Sequence, residues 1–292
     1  MKKTLLILTL VILFQWTGSA QKIYIQASGG YALGFLKDNI SDVSLTTKVA
    51  NDTLYDELYQ NESHLFSFGT GGRLTLAVGM KINDYISVEV AGFYNPCKSL
   101  KTESSEYYTF PEEGFFFDYN EHYTYKGNEF GFIPAMKLSY PKGSIKPYTR
   151  LGIIFSFINL TTNYQGNYFT THPMYYPTGN EHYTLVSQRN LSIGVSATLG
   201  FDLILSDRLI FFFEANGSFI SYKPKKAEYT EYQLNGDDIL DDLTVYERQV
   251  EYVKSFTSTD VIDEDSPRKE LINSLPFSSI GLSAGIRFNL FK

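Results

Sequence analysis

From Gln21 onward apolar residues recur at every second position, the period of a strand with one buried face, and not at the 3.6-residue period of a helix. The pattern predicts eight long strands, at about 22–35, 64–82, 85–100, 122–140, 145–162, 182–205, 208–223 and 275–291. In the last, Ser278, Ile280, Leu282, Ala284, Ile286, Phe288 and Leu290 alternate with Ser279, Gly281, Ser283, Gly285, Arg287 and Asn289. Leu74, Leu76, Val78, Met80 and Ile82 repeat the pattern, as do Leu191, Ile193, Val195, Ala197, Leu199 and Phe201.

The connections alternate as well. Asn83-Asp84, Pro141-Lys142-Gly143-Ser144 and Ser206-Asp207 suit tight hairpin turns, whereas the stretches 36–63, 101–121, 163–181 and 224–274 are long. That rhythm predicts an all-β fold: an eight-stranded antiparallel up-and-down transmembrane β-barrel with long external loops and both termini on the short-turn side. The residue sizes on each face choose between a membrane barrel and a soluble carrier. The polar face is small, with Gly71, Ala77, Gly79, Gly194, Ser196, Gly200, Gly281, Ser283 and Gly285, and fits the crowded inside of an eight-stranded barrel. The apolar face carries bulk that would overfill that space, such as Leu209, Phe211 and Phe213, and is read as facing lipid. Tyr31, Phe35, Phe66, Phe68, Tyr94, Phe130 and Tyr140 share that register near segment ends, where a girdle of interfacial aromatics is expected.

The start of the chain fits export. Lys2 and Lys3 precede an apolar stretch from Leu5 to Phe14 and the small residues Gly18, Ser19 and Ala20, the layout of a signal peptide over 1–20 that is cleaved before Gln21. The barrel domain is then 21–292, and the expected address is the cell outer membrane.

Composition narrows the function. Aromatics make up 16% of the 292 residues, about twice the usual share, yet the mean hydropathy of -0.17 is too polar for a bundle of membrane helices. One cysteine, Cys97, excludes an internal disulfide framework, and the net charge of -7 argues against nucleic acid as a partner. The stretch 224–274 holds 13 acidic against 6 basic residues, read as a solvated acidic loop whose Asp spacing matches no known calcium loop.

Several of these features together resemble a known group. The end of the leader, the Gly-rich opening Ala27-Ser28-Gly29-Gly30-Tyr31, the run Ile145-Lys146-Pro147-Tyr148-Thr149-Arg150-Leu151-Gly152 and the ending Gly281-Leu282-Ser283-Ala284-Gly285-Ile286-Arg287-Phe288 look like the outer-membrane β-barrel domain family common in Bacteroidota. That family includes PorT-like proteins and is similar in architecture to the OmpA and OmpX barrels. The resemblance covers the mature chain and implies outer-membrane lipid and the barrel-assembly machinery as partners. Through its PorT-like members it also implies a role in envelope secretion. It carries no catalytic signature.

Two sets of candidate residues follow. Arg73, Glu89, Glu129, Lys137, Arg150, Asp202, Glu214 and Arg287 all fall on the lumen register, four of each sign, and are read as a structural salt-bridged plug. A narrow ion or small-solute path through the same charges is the alternative. Aromatics in the long connections, Tyr107, Tyr108, Phe115, Phe116, Phe117, Tyr175 and Tyr176 among them, suit contact with a protein or glycan partner. His64, His122, His172 and His182 lie in or beside those connections without a nucleophile motif, so a lipid-modifying enzyme is the weaker reading. A metal site pairing His122 with Glu121 or His182 with Glu181 is the weakest reading. The expectation is a monomeric, non-enzymatic outer-membrane protein without cofactor or metal.

Overall fold

The structure, a computed structural model, describes residues 22–35, 38–50, 53–110, 115–171, 178–257 and 263–290, with side chains left undescribed at 22, 38–50, 53–66, 108–110 and 115. The leader expected at 1–20 lies outside the described residues.

The described chain is almost entirely strand. In order come β1 (Lys22–Gly34), β2 (Asp38–Ala50), β3 (Thr53–Phe66), β4 (Gly71–Lys81), β5 (Ile86–Pro96) and β6 (Leu100–Phe110). Two very long strands follow, β7 (Phe115–Ser139) and β8 (Ile145–Thr170), then β9 (Gly179–Ser187), β10 (Asn190–Ile204), β11 (Leu209–Phe219) and the short β12 (Ser221–Tyr222). The chain ends with β13 (Lys226–Leu234), β14 (Asp237–Asp238), a single helical turn α1 (Val245–Arg248), β15 (Gln249–Val253), β16 (Arg268–Leu271), β17 (Leu275–Pro276) and β18 (Ser279–Asn289). No described helix is long and apolar enough to cross a membrane.

Antiparallel ladders join β1 to β4, β4 to β5, β5 to β7, β7 to β8, β8 to β10, β10 to β11, β11 to β18, and β18 to β1. The three short turns close as their sequences predict. Asn83 Oδ1 accepts from the backbone N–H groups of Tyr85 and Ile86, both at 2.8 Å. Gly143 takes a φ of 87°, open to it because it lacks a Cβ, and Ser206 Oγ accepts from the Leu209 N–H at 3.1 Å.

The long connections contain strands of their own. β7 and β8 stay paired well beyond the level where β5 and β10 leave them, and there β6 takes the free edge of β7 and β9 that of β8. β2 and β3 extend the sheet past β6, and β13, β15 and β16 extend it past β9. The β-branched and aromatic residues in these polar stretches, such as Tyr123, Thr124 and Tyr125, favour strands even without an apolar face. Two expected segments are also split. The stretch 64–82 breaks at a turn after Phe66 before β4 begins, and 182–205 breaks at Gln188-Arg189 between β9 and β10.

Pro134 sits inside β7 yet does not end it. The β7–β8 pairing omits Ile133 and Pro134, then resumes in the same register at Ala135↔Gly152. Proline removes a donor there, but the alignment is unchanged.

Burial along the ring of paired strands follows the predicted alternation with its polarity inverted relative to a soluble protein. In β5 Ser87, Glu89, Ala91, Phe93 and Asn95 are buried while Val88, Val90 and Tyr94 are exposed. Leu282 is 72% exposed, Leu76 69% and Leu199 68%, whereas Arg287 is 2% exposed.

Candidate functional site

The inner face brings six of the eight expected charges into two linked groups. Arg150, from β8, donates from Nη1 to Glu89 Oε2 at 2.9 Å and from Nη2 to Glu214 Oε2 at 2.8 Å, bridging β5 and β11. Asp202 on β10 receives Lys137 Nζ at 3.0 Å and Arg287 Nη1 at 2.5 Å on a single oxygen, Oδ2. Two tyrosines connect the groups. Tyr24 donates to Glu89 at 2.5 Å and Tyr148 to Glu214 at 2.6 Å. The Arg287 guanidinium lies 5.0 Å from the Tyr24 ring centre and 5.7 Å from that of Tyr148, and Lys137 Nζ sits 3.5 Å from the latter. Three cations meet three carboxylates, so the cost of burial is offset by charge-assisted hydrogen bonds and ring contacts.

The other two behave differently. Glu129 accepts from Asn95 Nδ2 and Ser156 Oγ, each at 3.0 Å. Arg73 stacks 4.5 Å over Phe93, and its buried Nη2 has no hydrogen-bond partner among the described residues. Arg73, Arg150, Glu214 and Asn216 line a cavity of about 40 Å³, room for little more than water. On the short-turn side of the ionic groups a wider pocket of about 380 Å³ reaches Lys137, Asp202 and Arg287 between Lys81, Asp84, Lys146 and Asp207.

Toward the long connections the inner face turns apolar. Phe68 and Phe277 stack at 5.3 Å, Tyr222 meets Phe277 edge-on at 5.8 Å, and Ile154, Ile158 and Ile220 pack around them. Phe68, which shares the expected lipid-facing parity, is instead 2% exposed, because the turn after β3 folds inward and the Phe68 N–H bonds to the Pro276 carbonyl at 3.1 Å. Ser278 Oγ both donates to the Ile220 carbonyl and accepts from its N–H, at 3.1 Å each, fixing the second infolded segment. Tyr31, Tyr94, Phe130 and Tyr140 are exposed as expected; Phe35 is half-buried against Phe219, and the Phe66 side chain lies outside the described ones.

Above this apolar layer the same faces of β7 and β8 carry phenols and carboxylates. Tyr119, Tyr123 and Tyr164 all donate to Glu121 Oε1, the last at 3.0 Å, and Tyr168 and Tyr232 donate to Glu181. The rings pack against one another, Tyr119 on Tyr168 at 5.0 Å, Tyr164 on Tyr183 at 4.5 Å and Tyr183 on Tyr232 at 5.7 Å. Partial burial, helped by the adjacent carboxylate, pushes the Tyr168 phenol up to about 12, and Tyr119 and Tyr232 move the same way for the same reasons.

The expected partner-contact aromatics therefore divide between two faces. Phe117 joins the tyrosine wall through Tyr119, while Tyr107 packs on Phe116, and Phe116 on Phe169, across the opposite face. Tyr108 and Phe115 lie in β6 and β7 without described side chains, and Tyr175 and Tyr176 lie outside the described residues, as does His172. The metal pairings of His122 with Glu121 and of His182 with Glu181 fail on strand geometry, since neighbouring residues point to opposite faces. His122 lies 3.4 Å from Glu103 and His182 3.6 Å from Glu231, away from Glu121 and Glu181. Among the described residues no three potential metal ligands come together. The sequence places Tyr119, Tyr164 and Tyr168 in long connections and Tyr123 and Tyr183 at strand ends, without the pairing that gathers them; it misses β13, which supplies Tyr232, and the break that sets β9, with Glu181 and Tyr183, apart from β10.

No protein-family model and no curated protein matches the chain. Among solved structures it is similar to Neisserial surface protein A, at 9% identity and a TM-score of 0.37 over 93% of this chain and 98% of that one. It is also similar to the outer membrane protease OmpT of Escherichia coli, at 9% identity and a TM-score of 0.27 over 92% and 97% of the two chains. Overlaps this loose carry no argument about activity.

Proposed function

We propose that the chain is an outer-membrane protein: an eight-stranded up-and-down β-barrel, closed to solutes, that holds a strand-built platform outside the bilayer for contact with a partner. The observation that carries this reading is the inverted polarity of the paired strands, apolar bulk outward and ionised groups inward. A water-facing surface bearing Leu33, Leu74, Leu76, Leu199, Leu282 and Ile193 far exceeds the few hundred square ångströms of apolar patch that a soluble monomer shows. The ladder cycle from β1 through β4, β5, β7, β8, β10, β11 and β18 back to β1 supports closure, which leaves no edge in lipid. The ionic groups and the Phe68–Phe277 layer support a stoppered lumen.

The test is refolding into detergent, followed by electrophoresis with and without heating and by planar-bilayer recording. The expected result is a heat-modifiable band and no steady conductance. A protein that stays soluble without detergent overturns the membrane assignment. A narrow ion path is the second reading, favoured by the 380 Å³ pocket that reaches the Asp202 group from the short-turn side. Steady unitary currents altered by Glu214→Leu would establish it. A secretion-apparatus role remains open to co-purification, and a lipid-modifying activity to alanine substitution of His122 and His182.

A further inference from the structure

Along the outward faces of β7, β8 and β10, apolar side chains give way to polar and basic ones at one level. On β7, Phe132 and Phe130 are followed by Asn128 and then Lys126; on β8, Phe155 and Phe157 are followed by Asn159 and Thr161. The strands are in step there, since Phe130 pairs with Phe157, Phe157 with Leu191 and Lys126 with Thr161. Arg189, just before β10, reaches across β8 to lie 4.8 Å from the Phe130 ring centre. On the other side β6 sets Lys101 opposite Thr124, two residues from Lys126. The Cys97 N–H bonds to the Gly127 carbonyl at 3.1 Å, which brings Lys98 alongside.

These four cations are exposed, and among the described residues none of them forms an ion pair. The stretches 95–102, 124–128, 157–163 and 186–191 contain no Asp or Glu, in a chain whose net charge is -7. The next acid outward on this face, Glu103, lies 3.4 Å from His122. Lys223, Lys225 and Lys226 continue the basic run beyond Arg189, because the Gln188 N–H bonds to the Lys226 carbonyl at 2.8 Å; Glu251 on β15 stands opposite Lys226.

Cations gathered without acids repel one another unless an anion sits among them. The charges on either side indicate where that anion comes from. A water-borne polyanion has to pass outer stretches such as 224–274, with 13 acidic against 6 basic residues, and is repelled there. A lipid approaches within the bilayer plane and engages both parts of the surface, its headgroup on the cations and its chains on the apolar face beside them.

We propose that the outward patch of Lys98, Lys101, Lys126 and Arg189 binds the phosphate of an anionic lipid, whose acyl chains lie on Phe130, Phe157 and Leu191. The proposal rests on the membrane-barrel reading above. Heat-modifiable migration tests that reading separately, so a folded barrel indifferent to lipid charge counts against this site alone.

The experiment is native mass spectrometry of the full chain refolded in nonionic detergent. Dioleoyl phosphatidic acid is the probe, dioleoyl phosphatidylcholine supplies the same chains without net charge, and polyphosphate serves as a water-borne anion. Phosphatidic acid is expected to be retained about tenfold or more over phosphatidylcholine, with the ratio falling several-fold as salt rises from about 0.1 to 0.5 M. Lys101→Gln, Lys126→Gln and Arg189→Gln combined should lower its retention by about tenfold, and Lys126→Gln alone by a few-fold, while both variants migrate as folded barrels. Lys142→Gln combined with Lys254→Gln, at cations outside the patch, should leave retention unchanged. The proposal is overturned if phosphatidylcholine is retained as well as phosphatidic acid, if the triple variant retains phosphatidic acid normally, if the control variant loses it equally, or if polyphosphate binds and the lipid does not.

Discussion

Glu129 and Glu121 stand on the same face of the same strand, eight residues apart, and are held by different means. Glu129 is 3% exposed at the level where β5, β7 and β8 run side by side, where Asn95 and Ser156 hydrogen-bond it and Arg73 lies nearby as counter-charge. Glu121 is half-buried above the ring and is held by phenols alone. If this level lies at membrane depth, as proposed, no bulk water is available there and charge must be matched inside the protein. Above that level water and mobile ions screen the carboxylate, and neutral donors suffice. One register of alternate residues thus yields an ionic cluster, the proposed plug, on the lower part of β7 and β8 and a phenolic wall on the upper part.

The largest expected effect lies in the plug. Asp202→Ala leaves Lys137 and Arg287 buried without their shared carboxylate, a loss of roughly 3–5 kcal/mol. Urea unfolding of the detergent-refolded protein measures it, and the matching change in the wall, Glu121→Ala, should cost far less. Equal losses would erase the distinction between the regions.

Next comes the outward face. Leu282→Arg puts a charge at the most exposed of the apolar strand positions, which should cost roughly 2–4 kcal/mol if the position faces the bilayer midplane and almost nothing if it faces water. Unfolding from lipid vesicles, compared with wild type, gives the answer.

Within the wall, Tyr164→Phe removes a hydroxyl that bonds Glu121 but keeps its ring against Tyr183, for a loss of about 1 kcal/mol in the same unfolding assay. Tyr148→Phe in the plug, which leaves a Glu214 oxygen buried without that donor, should cost more. The smallest effect is alkaline. A phenol raised to about 12 in the folded protein stays protonated while its unfolded counterpart ionises near 10, so Tyr168 supports stability fully below pH 10. That support is lost between about pH 10 and 12, and absorbance at 295 nm during titration should show a late-ionising class of tyrosines.

How far each region could be read beforehand follows from the same contrast. The ring was legible because its two faces obey opposite rules, so that Leu282 and Ser283, or Val90 and Glu89, already declare which side they occupy. The eight inner charges could be picked out by parity alone. Their pairing could not, because Arg150 reaches Glu89 and Glu214 across strands 61 and 64 residues distant in the chain. The wall was hidden for another reason. Both of its faces are polar, so alternation carries no contrast; β6 and β13 were read as parts of connections, and β9 as the opening of one long strand with β10. Phe68 misled because its parity continues a strand that has already broken at the turn after Phe66.

The long β7–β8 hairpin also has a mechanical side. Its short turn at Pro141–Ser144 lies at one end of the molecule and its far ladder, Phe117↔Thr170, at the other, with one register on both sides of Pro134. Force applied to the outer sheet along these strands loads many ladder hydrogen bonds in shear at once, so the hairpin acts as a mast rooted in the ring. A pull on the outer sheet would be borne by the paired strands below it together, and the first bonds to yield would be those of β16 and β3, the strands farthest from that mast.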